Sequence, residues 1–294
     1  MTRLLVTGAA GVVGSALSSR FEDLYPGCVF SGRDARAAGP GRPPVAGCDL
    51  GSRAAVDRLI EEANPDVLVH LAGNKDVFAL EKSPELARRA NVDTTRHIVE
   101  ALGGANTLVV FISSDYVFEG TTGPYWESSP TRPTTVYGAT KVAAEALLHE
   151  SGLAVANARS SSLFGFPNDF VSTVRSAIHQ GQPFPAFSDL VSNPTAVADL
   201  FEMFRRIIDR RLTGIFHVAG SEAVSREGFA RKIAAALGLD ATLIRAEKKG
   251  DRIRPSDLSL DNAATYAALD YHPRSIEETL RRGVLESTAA TIVR

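Results

Sequence analysis

Along the first half of the chain, short unbroken apolar runs alternate with segments whose apolar residues recur every three or four positions. "RLLVTG" (Arg3–Gly8) reads as a buried strand, and "VVGSALSSRFEDL" (Val12–Leu24) as the helix after it. "CVFSG" (Cys28–Gly32) is a second strand, and the Gly/Pro/Arg-rich "RDARAAGPGRPPVAG" that follows predicts an exposed loop. Ser52 is placed to cap the helix "RAAVDRLIEEA", and Pro65-Asp66 opens the strand "VLVHLAG". A long helix is expected from Pro84 to Leu102, then the strand "TLVVFISS", a helix from Tyr137 to Glu150, and the strand-like "LAVANARSSSLFG". Such alternation predicts βαβ units: an α/β fold with a Rossmann-type doubly wound, mostly parallel sheet and helices on both faces.

Beyond about Gly165 the pattern loosens. Helices near Phe170–Gln180 and Ala196–Arg210, the strand "GIFHVAG" and the helix "SREGFARKIAAALG" are legible between Pro-rich connections such as "GQPFPAF" and "RIRPSDLSLD". The expected organisation is a larger domain, residues 1–160 with 190–218, and a smaller C-terminal lobe, residues 161–189 with 219–294. There is no internal repeat, and the chain is expected to fray after Arg282.

At 294 residues, 44% hydrophobic and 22% charged, the chain can bury a sizeable core and is not compositionally disordered. A formal net charge of −2 gives no bulk attraction to nucleic acid or an anionic membrane. Glycines break the N-terminal apolar run "LLVTGAAGVVG", which argues against a signal peptide or a membrane span, so the expected compartment is the cytoplasm. Cys28 and Cys48 form no Cys-x-x-Cys and read as small buried apolar residues in a reducing compartment.

Candidate chemistry starts at "VTGAAGVVG", where Gly8, Gly11 and Gly14 follow a strand and open a helix. Glycine there allows a tight turn, close approach of backbone to a pyrophosphate, and helix–strand packing. The phosphate would rest on the amides of the helix start, Val12 and Val13 among them. At the end of the second strand Ser31 and Gly32 are neutral and Arg33 follows, which favours NADPH; Asp34 leaves NADH open. In "VYGATKVAAE", Tyr137 and Lys141 share one helix face. On spacing alone they are either a solvated turn carrying an aromatic or a proton donor whose pKa a neighbouring ammonium lowers. His70, inside an apolar strand, reads as a packed core histidine.

Glycines spaced Gly-x-x-Gly-x-x-Gly, together with "YGATK", resemble the extended short-chain dehydrogenase/reductases. "SSDYVFEGTTGPYWE", "PDVLVHLAG", "NVDTT", "NDF", "NPTAVADL", "GIFHVAG" and "RPSDLSLD" extend the resemblance over essentially the whole chain, to the dTDP-4-dehydrorhamnose reductase family and equally to its relative, the regulatory β-subunit of methionine adenosyltransferase. The resemblance implies a catalytic group of Ser114, Tyr137 and Lys141. Ser114 would hold a substrate carbonyl, Tyr137 would protonate it, and Lys141 would favour the tyrosinate and bond the nicotinamide ribose. It further implies that Asp49 and Leu50 lie beside the adenine and that Leu71, Ala72 and Gly73 pass the nicotinamide ribose. Tyr116 and Ser162 would meet the hexose, and Asn168 and Arg254 the nucleotide diphosphate. The smaller lobe would be the substrate-binding one. Asp115-Tyr116 stands where sugar-nucleotide dehydratases carry Asp-Glu, which disfavours elimination. Ser162 replaces a substrate-contacting tryptophan, and Ser15 replaces an acidic residue that helps bridge Mg²⁺, so no metal is expected. The expected activity is NADPH-dependent reduction of the 4-keto group of a nucleotide-linked 6-deoxyhexose by a homodimer. The other readings are an NAD-dependent sugar-nucleotide epimerase and a non-catalytic dinucleotide-binding regulatory subunit.

Overall fold

The computed structural model describes residues 2–250 and 253–283, and the chain divides into two compact units. The first comprises Met1–Glu119, Pro130–Arg159 and Phe201–Phe216. Its strands β1 (Leu4–Thr7), β4 (Val67–His70) and β5 (Leu108–Ser114) are buried at every position, which is why their sequences run apolar instead of alternating. With β2 (Val29–Gly32), β3 (Ala46–Gly47), β6 (Ala154–Ser160) and β11 (Gly214–Val218), they form a seven-stranded sheet among the described residues, in the order β11-β6-β5-β4-β1-β2-β3. The register between β1 and β2, β1 and β4, β2 and β3, and β4 and β5 is parallel. Strand order reverses between β1 and β4, so their carboxyl ends open the crevice where doubly wound sheets bind ligands.

Helices α2 (Arg53–Ala63), α5 (Thr94–Leu102) and α6 (Val136–Glu150) press Val56, Leu59, Ile98, Leu102, Ala144 and Leu148 onto Leu5, Leu68, Val109 and Phe111. Helix α1 (Val12–Leu24) turns Leu17 and Phe21 inward, and Phe21 meets Phe201 edge-on with centroids 5.2 Å apart. A buried ion pair ties α6 to β6: Arg159 donates through Nε and Nη2 to Glu145, at 3.1 and 2.8 Å.

Several local expectations need correction. The loop after β2 is not free of structure: Arg36 and Val45 exchange backbone hydrogen bonds of 2.8 Å, Val45 is buried, and Ala46–Gly47 joins the sheet edge. Ser52 begins α2 without a side-chain cap bond; its amide instead closes a turn onto the Asp49 carbonyl. The helix expected from Pro84 to Leu102 is there without a break, as α4 (Pro84–Ala87), a π-helical stretch over Arg88–Asp93, and α5; only the π stretch was not foreseen. A short helix, α3 (Val77–Lys82), precedes it, capped by the Asp76 carboxylate on the Ala79 amide. Cys48 is buried, but Cys28 is only half-buried and donates to Glu22; both are free thiols. Most of the fraying expected beyond Arg282 concerns residues outside those described.

The second unit comprises Gly120–Ser129, Ser160–Leu200 and His217–Arg294. The run "LAVANARSSSLFG" breaks after Ser160, and Leu163–Phe164 (β7) pairs in parallel with Thr195–Ala196 (β10). Phe184–Phe187 (β8) pairs with Ile244–Glu247 (β13), and Val191–Ser192 (β9) with Val224–Ser225 (β12). Helices α7 (Phe170–His179) and α9 (Arg226–Leu237) enclose Val174, Ile178, Phe229, Ile233, Ile244 and Ile276. No helix of the described residues is long and apolar enough to cross a membrane.

Removing one partner of the Arg159–Glu145 pair strands a buried charge. Arg159→Met is expected to lower unfolding free energy in urea by about 3–5 kcal/mol, and Arg159→Lys, which keeps the charge, to lower it less. An Arg159→Met variant as stable as the wild type would contradict that account.

Candidate functional site

At the carboxyl end of β1 the chain turns on Gly8, whose φ of +73° and approach to the next strand exclude a side chain: a Cβ would come 2.5 Å from the Ala72 amide nitrogen. A Cβ on Gly14 would strike the backbone of Gly8 and Ala9. Gly11 is the N-cap of α1, extended and without any side-chain cap, so the first amides of the helix, those of Val12 and Val13, have no acceptor from a cap. The loop is thus a cradle of backbone donors at a positive helix end, which fits a pyrophosphate. Leu71, Ala72 and Gly73 leave β4 beside it, with the Leu71 amide donating to the Thr7 carbonyl. Leu50 is buried, the Asp49 carboxylate accepts from the Gly51 amide at 2.9 Å, and Arg33 is exposed just past β2.

Ser114 ends β5, and a 3₁₀ turn over Asp115–Val117 follows it. Tyr137 and Lys141 stand on the first two turns of α6, whose start is fixed by the Thr135 hydroxyl accepting from the Gly138 amide at 3.0 Å. All three side chains are buried. The Ser114 hydroxyl donates to Asp115 at 3.0 Å and accepts from the Tyr116 amide at 3.3 Å. Tyr116 packs edge-on to Tyr137, centroids 5.6 Å apart. The Lys141 ammonium donates to the Ile112 carbonyl at 2.8 Å and sits 4.5 Å from the Phe111 ring centre.

The electrostatics correct one expectation. Burial pushes the Tyr137 phenol above its ordinary value, with Asp115 and Tyr116 adding to the rise and Ser114 opposing it. Desolvation outweighs any lowering by a neighbouring ammonium, so in the isolated chain Tyr137 is a held proton. Burial brings Lys141 down to about 8, against the pull of Glu145 one turn on.

Two residues support the site: Asn91, which had no role assigned from the sequence, and His70, read from the sequence as a packed core histidine. Asn91, on the π turn, accepts from the Asn74 amide at 2.7 Å and donates to the Asn74 carbonyl and the Thr140 hydroxyl, at 3.0 and 2.9 Å. It fixes the segment after Gly73 against the helix that carries Tyr137 and Lys141; the signal was "NVDTT", but only the π turn aims the side chain. His70 is a core histidine, fully buried between Thr7 (2.8 Å) and Thr95 (3.2 Å). Thr95 gives its own proton to the Asn91 carbonyl, which assigns Nε2–H of His70 as the donor to Thr95 and Nδ1 as the acceptor from Thr7.

The second unit holds Ser162, Asn168 and Arg254. Ser162 shares a 3.0 Å hydrogen bond with Ser192 and lines a small cavity with Pro194, Val224, Arg226 and Phe229. Arg226, which sequence reasoning missed because β9 and β12 meet only in three dimensions, stacks its guanidinium 4.7 Å from the Phe170 ring centre. Asn168 is exposed at a φ of +60°, and Arg254 is half-buried with its carbonyl accepting from Lys249.

Residues 1–288 match the family model described as the RmlD substrate binding domain. Among curated proteins, the chain is 31% identical over 280 residues to methionine adenosyltransferase 2 subunit beta of Xenopus tropicalis, covering 88% of this chain and 80% of that protein. It is 28% identical over 275 residues to the dTDP-4-dehydrorhamnose reductase of Mycobacterium tuberculosis, covering 91% and 84%. Among solved structures, dTDP-4-dehydrorhamnose reductase of Bacillus anthracis in complex with NADP superposes with a TM-score of 0.82 at 25% identity, over 97% of this chain and 99% of that one.

Burial holds His70 neutral, lowering it from 6.5 to about 3, with the Lys141 charge adding to the effect. The folded chain therefore binds fewer protons than the unfolded one between those values, and stability falls as pH drops from 6.5 toward 3, by up to about 1.4 kcal/mol per pH unit. His70→Gln, which cannot titrate, is expected to flatten that part of the urea-denaturation profile; an unchanged slope would refute the assignment.

Proposed function

The chain belongs to the RmlD-like family of extended short-chain dehydrogenase/reductases, and on that premise we propose that it reduces the 4-keto group of a nucleotide-linked, dTDP-type 6-deoxyhexose. The observation that carries the reading is the convergence of a hydroxyl, a protonated phenol and an ammonium, Ser114, Tyr137 and Lys141, beside the glycine cradle. Bound NADPH would supply the hydride to the carbonyl carbon. The cradle of Gly8, Gly11, Val12, Val13 and Gly14 holds its pyrophosphate, Asp49 and Leu50 its adenine side, Arg33 the 2′-phosphate, and Leu71, Ala72 and Gly73 the nicotinamide ribose.

Ser114 holds the substrate carbonyl oxygen through its hydroxyl. Tyr137 gives its proton to that oxygen as negative charge develops there, and the carbonyl becomes a hydroxyl. Lys141 stabilises the tyrosinate left behind, because an adjacent cation favours the charged phenolate. The raised phenol suits reduction: the proton is in place at neutral pH. Tyr116 is the proposed hexose contact in the first unit, and Ser162, Asn168 and Arg254 the proposed sugar-nucleotide contacts in the second.

The likeness to methionine adenosyltransferase 2 subunit beta supports a second reading, a dinucleotide-binding regulatory subunit. One assay separates the two: NADPH consumption with dTDP-4-keto-6-deoxyglucose and with its 3,5-epimerised form. Turnover of either establishes the reductase; silence with both, alongside NADPH binding and co-purification with a larger enzyme, favours the regulatory subunit. For the reductase, Tyr137→Phe is expected to cut kcat by roughly 10²–10⁴-fold while NADPH binding persists. Lys141 is cationic below about 8 and neutral above it, so the reduction rate should hold at neutral pH and fall as pH rises through that value. A rate that climbs through the same range would overturn the roles given to Tyr137 and Lys141.

A further inference from the structure

Glu145 is a buried carboxylate that takes no part in the proton transfer described above. It stands one helical turn after Lys141 on α6, and residues four apart share one face of a helix. Both side chains are buried. The two carboxylate oxygens are engaged: Oε1 accepts from the Ser113 hydroxyl at 2.5 Å and from Arg159 Nε at 3.1 Å, and Oε2 accepts from Arg159 Nη2 at 2.8 Å. Lys141 is fixed as well, by its bond of 2.8 Å to the Ile112 carbonyl. The carboxylate is therefore held where it is and acts on the ammonium through its charge, in an interior where water screens it little.

Stability is a poor reason for this arrangement. A buried ion pair contributes little beyond what apolar residues of like volume would, and Ala144 and Leu148 on the same helix reach full burial without charge. What Glu145 adds is a fixed negative charge beside a lysine that burial drives toward the neutral amine, and it opposes that drive. The other charged groups around α6 are placed elsewhere. On β4, His70 is buried and neutral. On β6, Arg159 is bound to Glu145 itself. Asp115 and Tyr116, in the turn after β5, act on Tyr137. Glu81 of α3 accepts from the Val136 amide at the start of α6, and Lys82 is exposed. Glu85 pairs with Arg88 on the surface, Arg89 is exposed, and Asp93 binds Arg88 and Arg96. On α5, His97 bonds the Leu50 carbonyl and Glu100 pairs with Arg53. Farther along α6, His149 and Glu150 are exposed. Among the described residues, Glu145 is thus the acid placed to support the Lys141 cation.

We infer that Glu145 is a positioning residue for the proposed reduction: clamped by Arg159 and Ser113, it keeps Lys141 an ammonium at neutral pH, the form that Tyr137 needs as it gives up its proton. The inference rests on the roles read above for Tyr137 and Lys141. Arg159 acts in two ways, fixing the place of the carboxylate and offsetting part of its charge. Ser113 lies next to Ser114 on β5, so the strand that ends at the site also anchors the acid.

The test is a pH titration of the full chain by NMR of the lysine ε-carbons, six in all, with Lys141 assigned by the loss of its signal in Lys141→Arg. The pH profile of keto-sugar reduction with NADPH is measured beside it. Wild-type Lys141 is expected to titrate near 8. In Glu145→Gln, which keeps the size of the side chain and removes its charge, the midpoint should drop by about one to three pH units, and the alkaline fall in kcat/KM should move down with it. Ser113→Ala loosens the same network without removing the charge and should leave the midpoint in place. A Glu145→Gln midpoint equal to that of the wild type, even with lowered stability, would make the residue structural and overturn the inference. So would a shifted midpoint with an unmoved rate profile. If Glu145→Gln does not fold, Arg159→Gln decides: with the guanidinium gone the carboxylate acts on Lys141 unopposed, so the midpoint should rise, and one that stays or falls overturns the inference. Turnover of neither keto sugar would overturn the reductase reading instead; the NMR comparison needs no substrate and still decides the role of Glu145.

Discussion

Carrying the Lys141 ammonium into the interior of the first unit requires groups that replace the water it loses. Desolvating such an ion costs several kcal/mol even after relaxation. The Ile112 carbonyl at 2.8 Å, the face of Phe111 and the charge of Glu145 one helical turn away supply the compensation. Glu145 in turn is buried and would itself be intolerable without Arg159 from β6 and the Ser113 hydroxyl from β5. One buried cation therefore recruits β5, β6 and α6 into a single charge-balanced assembly. Burial also keeps the Tyr137 phenol protonated, one helical turn before Lys141.

Around that centre, polar groups serve position. His70 links Thr7 at the end of β1 to Thr95, and Thr95 passes the chain of bonds to the Asn91 carbonyl. The Asn91 side chain then spans the segment after Gly73 and the Thr140 hydroxyl on α6, whose own proton goes to the Tyr137 carbonyl. Through these bonds the glycine loop's strand and the helix bearing Tyr137 are braced by buried, directional contacts. Buried polar networks of this kind fix geometry only when their members are satisfied. Arg36 departs from that rule: within the described residues its Nε and Nη2 are buried without an acceptor.

Much was legible in the sequence because it depended on local chemistry. Buried parallel strands must be apolar on both faces, so "LLVT", "VLVH" and "LVVF" announced themselves, and a strand–glycine–helix junction has few other uses. Spacing put Tyr137 and Lys141 on one face of a helix without reference to anything distant. Less was legible where the backbone departed from regular form. The π turn at Arg88–Asp93 leaves the helical periodicity on either side intact, and the pairing of Arg36 with Val45 lies in a stretch whose glycines and prolines suggest only a loop.

Sequence by itself thus determined the layered α/β architecture, the glycine turn and the shared helix face of Tyr137 and Lys141, because each follows from side-chain size, period or the conformational freedom of glycine; Ser114 was indicated by resemblance to the family. Tertiary structure decided what those groups can do. Whether Tyr137 is a proton held or a proton lost depends on how completely it is desolvated and on which groups lie nearest, and those neighbours, Ser114, Asp115 and Tyr116, come from the end of β5 and the turn after it, some twenty residues away in the chain. The same holds for Arg226 beside Ser162 and for the unpaired edge of Arg36: burial and the absence of a partner are properties of packing, and no local pattern of residues encodes them.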